Sequence, residues 1–291
     1  MLKILIAIAT LPALLLMLLI YKKDAPKKEP IGQLAKAFAL GVASIFPALG
    51  IEMLLSALMP EGLSALEASC YDAFVVAALT EECCKMAALL LAVRKCRDFD
   101  EYFDGIVYSA FVALGFATFE NFTYILGAGD LFSLMTTGLA RGILAVPAHF
   151  LFGVTMGYFF AHYRFSAHLR GLNIALALLL PVLLHGTYDA LLMYSDTLSD
   201  DTAEGSLLHL AIFVLFMAFD VLMWLWGLNR IKRLRQLSIE QHPEPQNPFT
   251  NRTFPLSRRR QNSRPAVKIH TIYQTVVKIN KEKFGQFEKS A

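Results

Sequence analysis

Residues 80–91 read TEECCKMAALLL, an apolar helical run that carries Glu81, Glu82 and Lys85 in its first half. Those charges decide between two folds. On a soluble helix three ionised groups mark a solvated face, whereas in a membrane span each is costly and needs a partner. The rest of the chain favours the membrane. Of 291 residues 56% are hydrophobic and 22 are phenylalanine, and the mean hydropathy is +0.48, well above a typical soluble domain.

Apolar blocks lie at approximately 2–20, 34–59, 72–93, 104–127, 140–162, 172–194 and 207–229. Each is close to the roughly 20 residues that span a bilayer. The expected fold is therefore all-α, a polytopic bundle of about seven transmembrane helices. The first block is read as a retained helix rather than a signal peptide. Its apolar run is long, Lys22 and Lys23 follow it directly, and no small-residue cleavage site is evident.

The connections give an orientation. Lys22, Lys23, Lys27 and Lys28 follow the first block, and Arg94, Lys95 and Arg97 the third. Arg164 and Arg170 follow the fifth, and Arg230, Lys232, Arg233 and Arg235 the seventh. The alternate connections 60–71, 128–139 and 195–206 contain no lysine or arginine. By the positive-inside rule the N-terminus lies outside and the C-terminus in the cytoplasm. The net charge of +3 is then largely orienting charge, and nothing points to nucleic acid as a partner. Cys70, Cys83, Cys84 and Cys96 are spread so that no pair suits a disulfide, and they read as small apolar filler.

Residues 1–235 thus form a membrane domain, and 236–291 a basic, mostly disordered cytoplasmic tail marked by EQHPEPQNP and SRRRQNSRP. Within the tail, AVKIHTIYQTVVKIN does not discriminate strand from helix. The sequon at Asn251 lies on the wrong side for glycosylation.

The ionisable and polar residues inside the blocks are Glu81, Glu82, Lys85, Glu120, Asn121, His149, His185, Asp189 and Asp220. Counted from the outer ends of their helices, Glu81, Glu120, His149 and His185 all fall roughly 10–14 Å deep at 1.5 Å per residue. Polar accidents would scatter in depth, and these coincide. Glu81 and Glu82 stand four and three residues before Lys85, which can neutralise either and hold it ionised. Asp189, four after His185, is placed to orient that imidazole. Pro147 and Pro181 each free a helical carbonyl beside a histidine, which suits a wet, protein-lined cavity. Ala113 and Ala117, with Gly153 and Gly157, allow close helix approach.

Glutamates and histidines around buried water suit water-activating hydrolysis. His149, His185 and Glu120 make a two-His, one-Glu set for a divalent metal, zinc being the usual occupant, with a position left for water. Each residue alone has a plainer reading: a structural Glu–Lys pair, or an interhelical histidine. Asp220 lacks a named partner and is read as structural, and His162, His168 and His209 as interfacial.

Taken in order, EECCK fits E-E-x-x-K, GFATFEN fits F-x-x-x-E-N, AHFLFG supplies a mid-helix histidine and HGTYD fits H-x-x-x-D. Over roughly residues 72–194 this resembles the PrsW-type intramembrane proteases, a bacterial family distantly similar to the CAAX-prenyl endopeptidases. It departs from the latter at Lys85 and Glu120, against a prenylated substrate. The resemblance implies a multi-pass enzyme of the inner membrane that cleaves a membrane-anchored protein, with an anti-sigma factor as the family theme. It marks Glu81, Glu82, Glu120, His149 and His185 as the functional set. The candidate catalytic residues are then Glu81, Glu82, Lys85, Asn121 and Asp189, and the candidate metal ligands Glu120, His149 and His185. Whether the reaction is metal-assisted or uses glutamate-activated water alone stays open, as do two other functions. A proton-coupled transporter would use the same Glu/His/Lys cluster as a relay, and a non-enzymatic adaptor would work through the tail.

Overall fold

A computed structural model of the chain describes residues 2–24, 27–127, 130–198 and 202–241. Of the tail, residues 236–241 continue α9, and the rest, including Asn251, lies outside the described residues. The described residues form only helices: α1 (Leu2–Lys23), α2 (Ile31–Ala57), α3 (Ala65–Cys70), a π-helical segment (Tyr71–Leu79), α4 (Thr80–Val93), α5 (Tyr102–Gly127), α6 (Leu131–Ile143), α7 (Ala145–Phe165), α8 (Arg170–Asp196) and α9 (Ala203–Gln241). Five stretches are long and apolar enough to cross a membrane: α2, α5, α6 with α7 (Phe132–Phe165), α8 and α9. The protein is a polytopic membrane protein.

Three boundaries differ from those read in the sequence, each for a local reason. The third apolar block is composite. Ser64 caps α3 through a reciprocal box with Glu67, so helix begins at Ala65, and the chain then runs through the π-helical turns into α4. The connection expected at 128–139 is mostly α6. Asp130 caps it by accepting from the Phe132 and Ser133 amides at 2.8 and 3.0 Å. The α6–α7 break at Leu144 has its cause in Pro147, which cannot donate to the Ile143 carbonyl and crowds it. Finally α9 reaches Gln241 with 39 residues. That is roughly 58 Å of helix, about twice the hydrocarbon core of a bilayer.

Helix α5 is the hub, with residues buried on every face from Phe103 to Ala117. It gets there by removing side chains. A Cβ on Gly157 of α7 would collide with Ser109 Oγ and the Gly105 carbonyl of α5, and one on Gly41 of α2 with the Val112 carbonyl. A Cβ on Gly153 would lie 2.7 Å from that of Ala113. Ser109 Oγ donates to the Gly105 and Gly153 carbonyls, both at 2.7 Å, tying α5 to α7 by a polar contact as well as by packing. In a bilayer, where lipid is as apolar as leucine, this contact of small residues is the main source of helix association.

At the start of α5 lies a second polar knot. The Tyr108 hydroxyl donates to Glu29 Oε2, the Glu29 amide to Asp24 Oδ2 at 2.8 Å, and the Phe103 amide to Ser238 Oγ of α9 at 2.8 Å. Burial pushes the Glu29 carboxyl up to about 7. This knot fixes the α1–α2 link and α9 against the start of α5.

Replacing Gly157 with Val drives the new side chain into α5 backbone and should cost roughly 1–3 kcal/mol. Gly32→Ala, where a Cβ meets nothing within 4 Å, should be neutral. Apparent melting temperatures in detergent check this; equal stability of Gly157→Val and wild type would refute the close-packed α5–α7 seam.

Candidate functional site

The sequence places two adjacent carboxylates one helical turn before a lysine, and α4 brings all three into the protein. Glu81, Glu82 and Lys85 are 6%, 0% and 1% exposed. The Lys85 ammonium donates to Glu81 Oε2 at 2.9 Å and Glu82 Oε1 at 2.8 Å, and lies 4.3 Å from the Phe116 ring centre. The preceding π-helical turns rotate the chain relative to a continuous α-helix, a distortion that often accompanies functional sites.

From α7, His149 brings Nδ1 within 3.0 Å of Lys85 Nζ and Nε2 within 2.8 Å of Glu120 Oε2 on α5. An ammonium only donates, so Nδ1 accepts, and the ring hydrogen sits on Nε2 facing Glu120. Glu120 Oε1 is held in turn by Arg141 Nη2 of α6 at 2.9 Å, whose guanidinium stacks 3.7 Å over Tyr124. From α8, His185 faces Glu82 Oε1 through Nδ1 at 3.0 Å and Asp189 Oδ2 through Nε2 at 3.1 Å. Phe152 stacks on its ring at 4.7 Å between centres. One continuous chain of polar contacts therefore runs from Arg141 through Glu120, His149, Lys85, Glu82 and His185 to Asp189, across five helices.

Seven of the eight candidates named from sequence stand in this chain or, for Glu81, against Lys85 within it. Asn121 is the exception: it is fully buried and is not among the residues lining the adjacent cavity. The grouping is also redrawn. Ligand atoms of Glu81, Glu82, His149 and His185 all lie within 4.8 Å of one another, and Glu120 stands outside that set. Its two oxygens are engaged by Arg141 and His149. That is the place of a carboxylate that orients a ligand histidine through its far nitrogen, rather than of a ligand.

The cluster forms one wall of a cavity of about 450 Å³. Glu81, Glu120, His149, His185 and Asp189 line it, as do Arg141, Glu52 and Asp72, which sequence reasoning passed over. Glu52 carried a usable signal as the one acid inside the 34–59 block. Arg141 stands at the very start of the 140–162 block, where an arginine reads as a helix-end residue. The remaining walls are apolar, from Ile45, Leu49, Val76, Phe116, Leu144 and Leu192.

The donor set suits a divalent cation. Four carboxylates, Glu81, Glu82, Glu120 and Asp189, meet two permanent cations, Lys85 and Arg141. The two left over are balanced by protonated imidazoles or by one dication, and Glu82 Oε2 is buried with no hydrogen-bond partner. Two carboxylates and two imidazoles are ligands that zinc accepts readily.

Comparison with known proteins agrees with this chemistry. Residues 29–222 match the family model described as PrsW family intramembrane metalloprotease. The chain is similar to the protein named Protease PrsW from Geobacillus kaustophilus, 39% identical over 66% of this chain and 81% of that one. It is also similar to those of Clostridioides difficile, 34% identical over 78% and 89%, and Bacillus subtilis, 33% identical over 79% and 95%. No solved structure matches.

Removing one partner of a buried ion pair leaves the other charge uncompensated, at a cost of about 3–5 kcal/mol. Lys85→Met and Glu82→Gln should each destabilise the protein by that order, and the double variant by clearly less than their sum. Thermal unfolding of all four proteins in detergent measures the coupling; strict additivity would mean that the two groups do not hold each other.

Proposed function

This chain belongs to the PrsW family of intramembrane metalloproteases, and we propose that it cleaves a membrane-anchored protein through a water activated by Glu81. The observation that carries the assignment of the base is the difference between the two adjacent glutamates. Glu81 lines the cavity, whereas Glu82 is fully enclosed and shares one oxygen between Lys85 and His185. A general base must reach the water whose proton it takes, and Glu81 is the carboxylate that can.

The remaining residues divide the work accordingly. Lys85 contacts Glu81 directly and offsets part of the cost of burying its charge. Glu82, His149 and His185 would hold a divalent metal, zinc in the first instance, which when bound polarises a carbonyl and acidifies water. Glu120 fixes the tautomer of His149, and Asp189 that of His185, so that the ring nitrogens turned to the cluster are set before substrate arrives. Once Glu81 has taken the water proton, it is placed to return it to the leaving amine across the same cavity. Asn121, beside Glu120 in sequence, buttresses that turn of α5. The apolar walls exclude bulk water and accept the side chains of an unwound peptide segment.

Orientation follows from charge. The lysine and arginine clusters after the first, third, fifth and seventh apolar blocks support seven crossings with the N-terminus outside. The cluster would then face the outer half of the membrane, with residues 1–235 as the proteolytic domain and 236–291 as a cytoplasmic tail. A single-span anti-sigma factor, the substrate theme of the family, fits such a site.

Purified protein reconstituted in liposomes with a single-span reporter should cut it. Glu81→Gln and His185→Ala should lower the rate by at least about 10²-fold, the usual contribution of a positioned acid–base group. Elemental analysis should find one divalent ion per wild-type chain and a large loss of it in His149→Ala. Full activity in both variants would end the assignment, and active enzyme free of metal would leave glutamate alone as the catalyst.

The orientation has its own check. A cysteine placed at Glu61 should react with a membrane-impermeant thiol reagent in intact cells, and one at Gln241 only after lysis. The reverse pattern would invert the topology.

A further inference from the structure

Most carboxylates around the cavity have a partner. Glu81 and Glu82 meet Lys85, Glu120 meets Arg141, and Asp189 meets His185. Two do not. Glu52 of α2 and Asp72 of the π-helical segment line the same cavity, are half-buried, and have no hydrogen bond or ion pair among the described residues. Neither belongs to the group able to hold a metal. They therefore add no ligand to the reaction centre and neutralise nothing in it.

A carboxylate without a partner in a largely apolar, membrane-level cavity is costly, on the order of 3 kcal/mol on insertion scales. Nothing in the folding of α2 calls for it. Leu49 on the same helix faces the cavity as an aliphatic side chain, and a leucine at position 52 would serve packing equally well. A cationic group occupying the cavity in the working state would offset that cost. Lys85 and Arg141 are held within hydrogen-bond distance of other carboxylates, and neither forms an ion pair with Glu52.

We propose that Glu52, assisted by Asp72, is a specificity-determining carboxylate that receives a basic side chain of the substrate close to the scissile bond. This rests on the protease reading above and names the substrate class within it: a membrane-anchored polypeptide with lysine or arginine within a few residues of the cut. The cavity is apolar where a peptide's aliphatic residues would lie and carries unpaired negative charge at Glu52 and Asp72. A lysine or arginine entering it exchanges water for a charge-assisted hydrogen bond and relieves the uncompensated carboxylates together. An acidic residue at the same position would add to charge that is already unbalanced, so the same feature rejects as well as selects.

The test uses the full chain in liposomes with a library of single-span reporters, randomised over the residues flanking their outer membrane boundary. Products are read by mass spectrometry. Wild type should enrich lysine and arginine at a fixed distance from the cut. For matched Lys and Met reporters the ratio of kcat/KM should fall roughly ten- to hundredfold in Glu52→Gln, the value of one charge-assisted hydrogen bond. Asp72→Asn should lower it less, Glu52→Asp should retain the preference, and Glu52→Lys should turn it towards acidic reporters. A role in folding alone would lower both rates together and leave their ratio fixed. An unchanged ratio in Glu52→Gln, or no basic enrichment by wild type, overturns the inference while leaving the protease reading intact. Failure of wild type to cut any reporter would instead count against the protease reading, and this inference with it.

Discussion

An ammonium group in the middle of a membrane protein must be surrounded by negative charge or it will not stay there. Lys85 meets that condition with two glutamates on its own helix and an imidazole from another. Two of the three partners are local and come with the sequence of α4; the third requires α7 to be in one place only. The electrostatics of a low-dielectric interior therefore act as a positioning constraint. Moving His149 away would leave the ammonium under-coordinated, and moving α4 would strand His149 and His185 together. Because one group's partner is the next group's anchor, the helices that carry them are locked at one depth.

That lock operates on helices already close enough to be locked. The approach of α5 to α2 and α7 is set by glycines whose missing Cβ atoms are replaced by backbone of the neighbouring helix. Ser109 reaches across one of these contacts. The small residues and the charged cluster thus divide the task. The first sets the distance between helix axes, and the second sets their register along the membrane normal.

Distortions in three of these helices then shape the site. The π-helical turns ahead of Thr80, the break imposed by Pro147, and Pro181 one turn before His185 each interrupt regular hydrogen bonding beside a residue of the cluster. With them, Glu81 reaches open space while Glu82, its neighbour, is sealed. Two chemically identical side chains thereby meet different surroundings, set apart by a rotation of about 100° about one helix. Arg141 gains its position from the same break, since α6 can turn it towards Glu120 while Phe132, Leu139 and Ile143 stay outward.

What could be read from sequence was whatever depends on composition and on neighbours along the chain. The membrane class and the all-helical fold follow from hydrophobic length. The Lys85 pairing follows from three- and four-residue spacing, and the shared depth of Glu81, Glu120, His149 and His185 from counting along helices whose ends the loop charges mark. Tertiary structure decided everything that depends on azimuth. Depth says how far along its helix a residue lies, but not which way it faces. Only packing turned Glu82 inward, put Glu120 behind His149 instead of beside His185, left Asn121 off the cavity wall, and brought Glu52 and Asp72 onto it. Helix α6 was hidden for a related reason: Phe132, Leu139 and Ile143 point outward while Arg141 turns to Glu120, a division that linear order does not display. One-dimensional hydropathy measures the cost of burial, whereas the direction of each side chain is fixed by the helices it packs against.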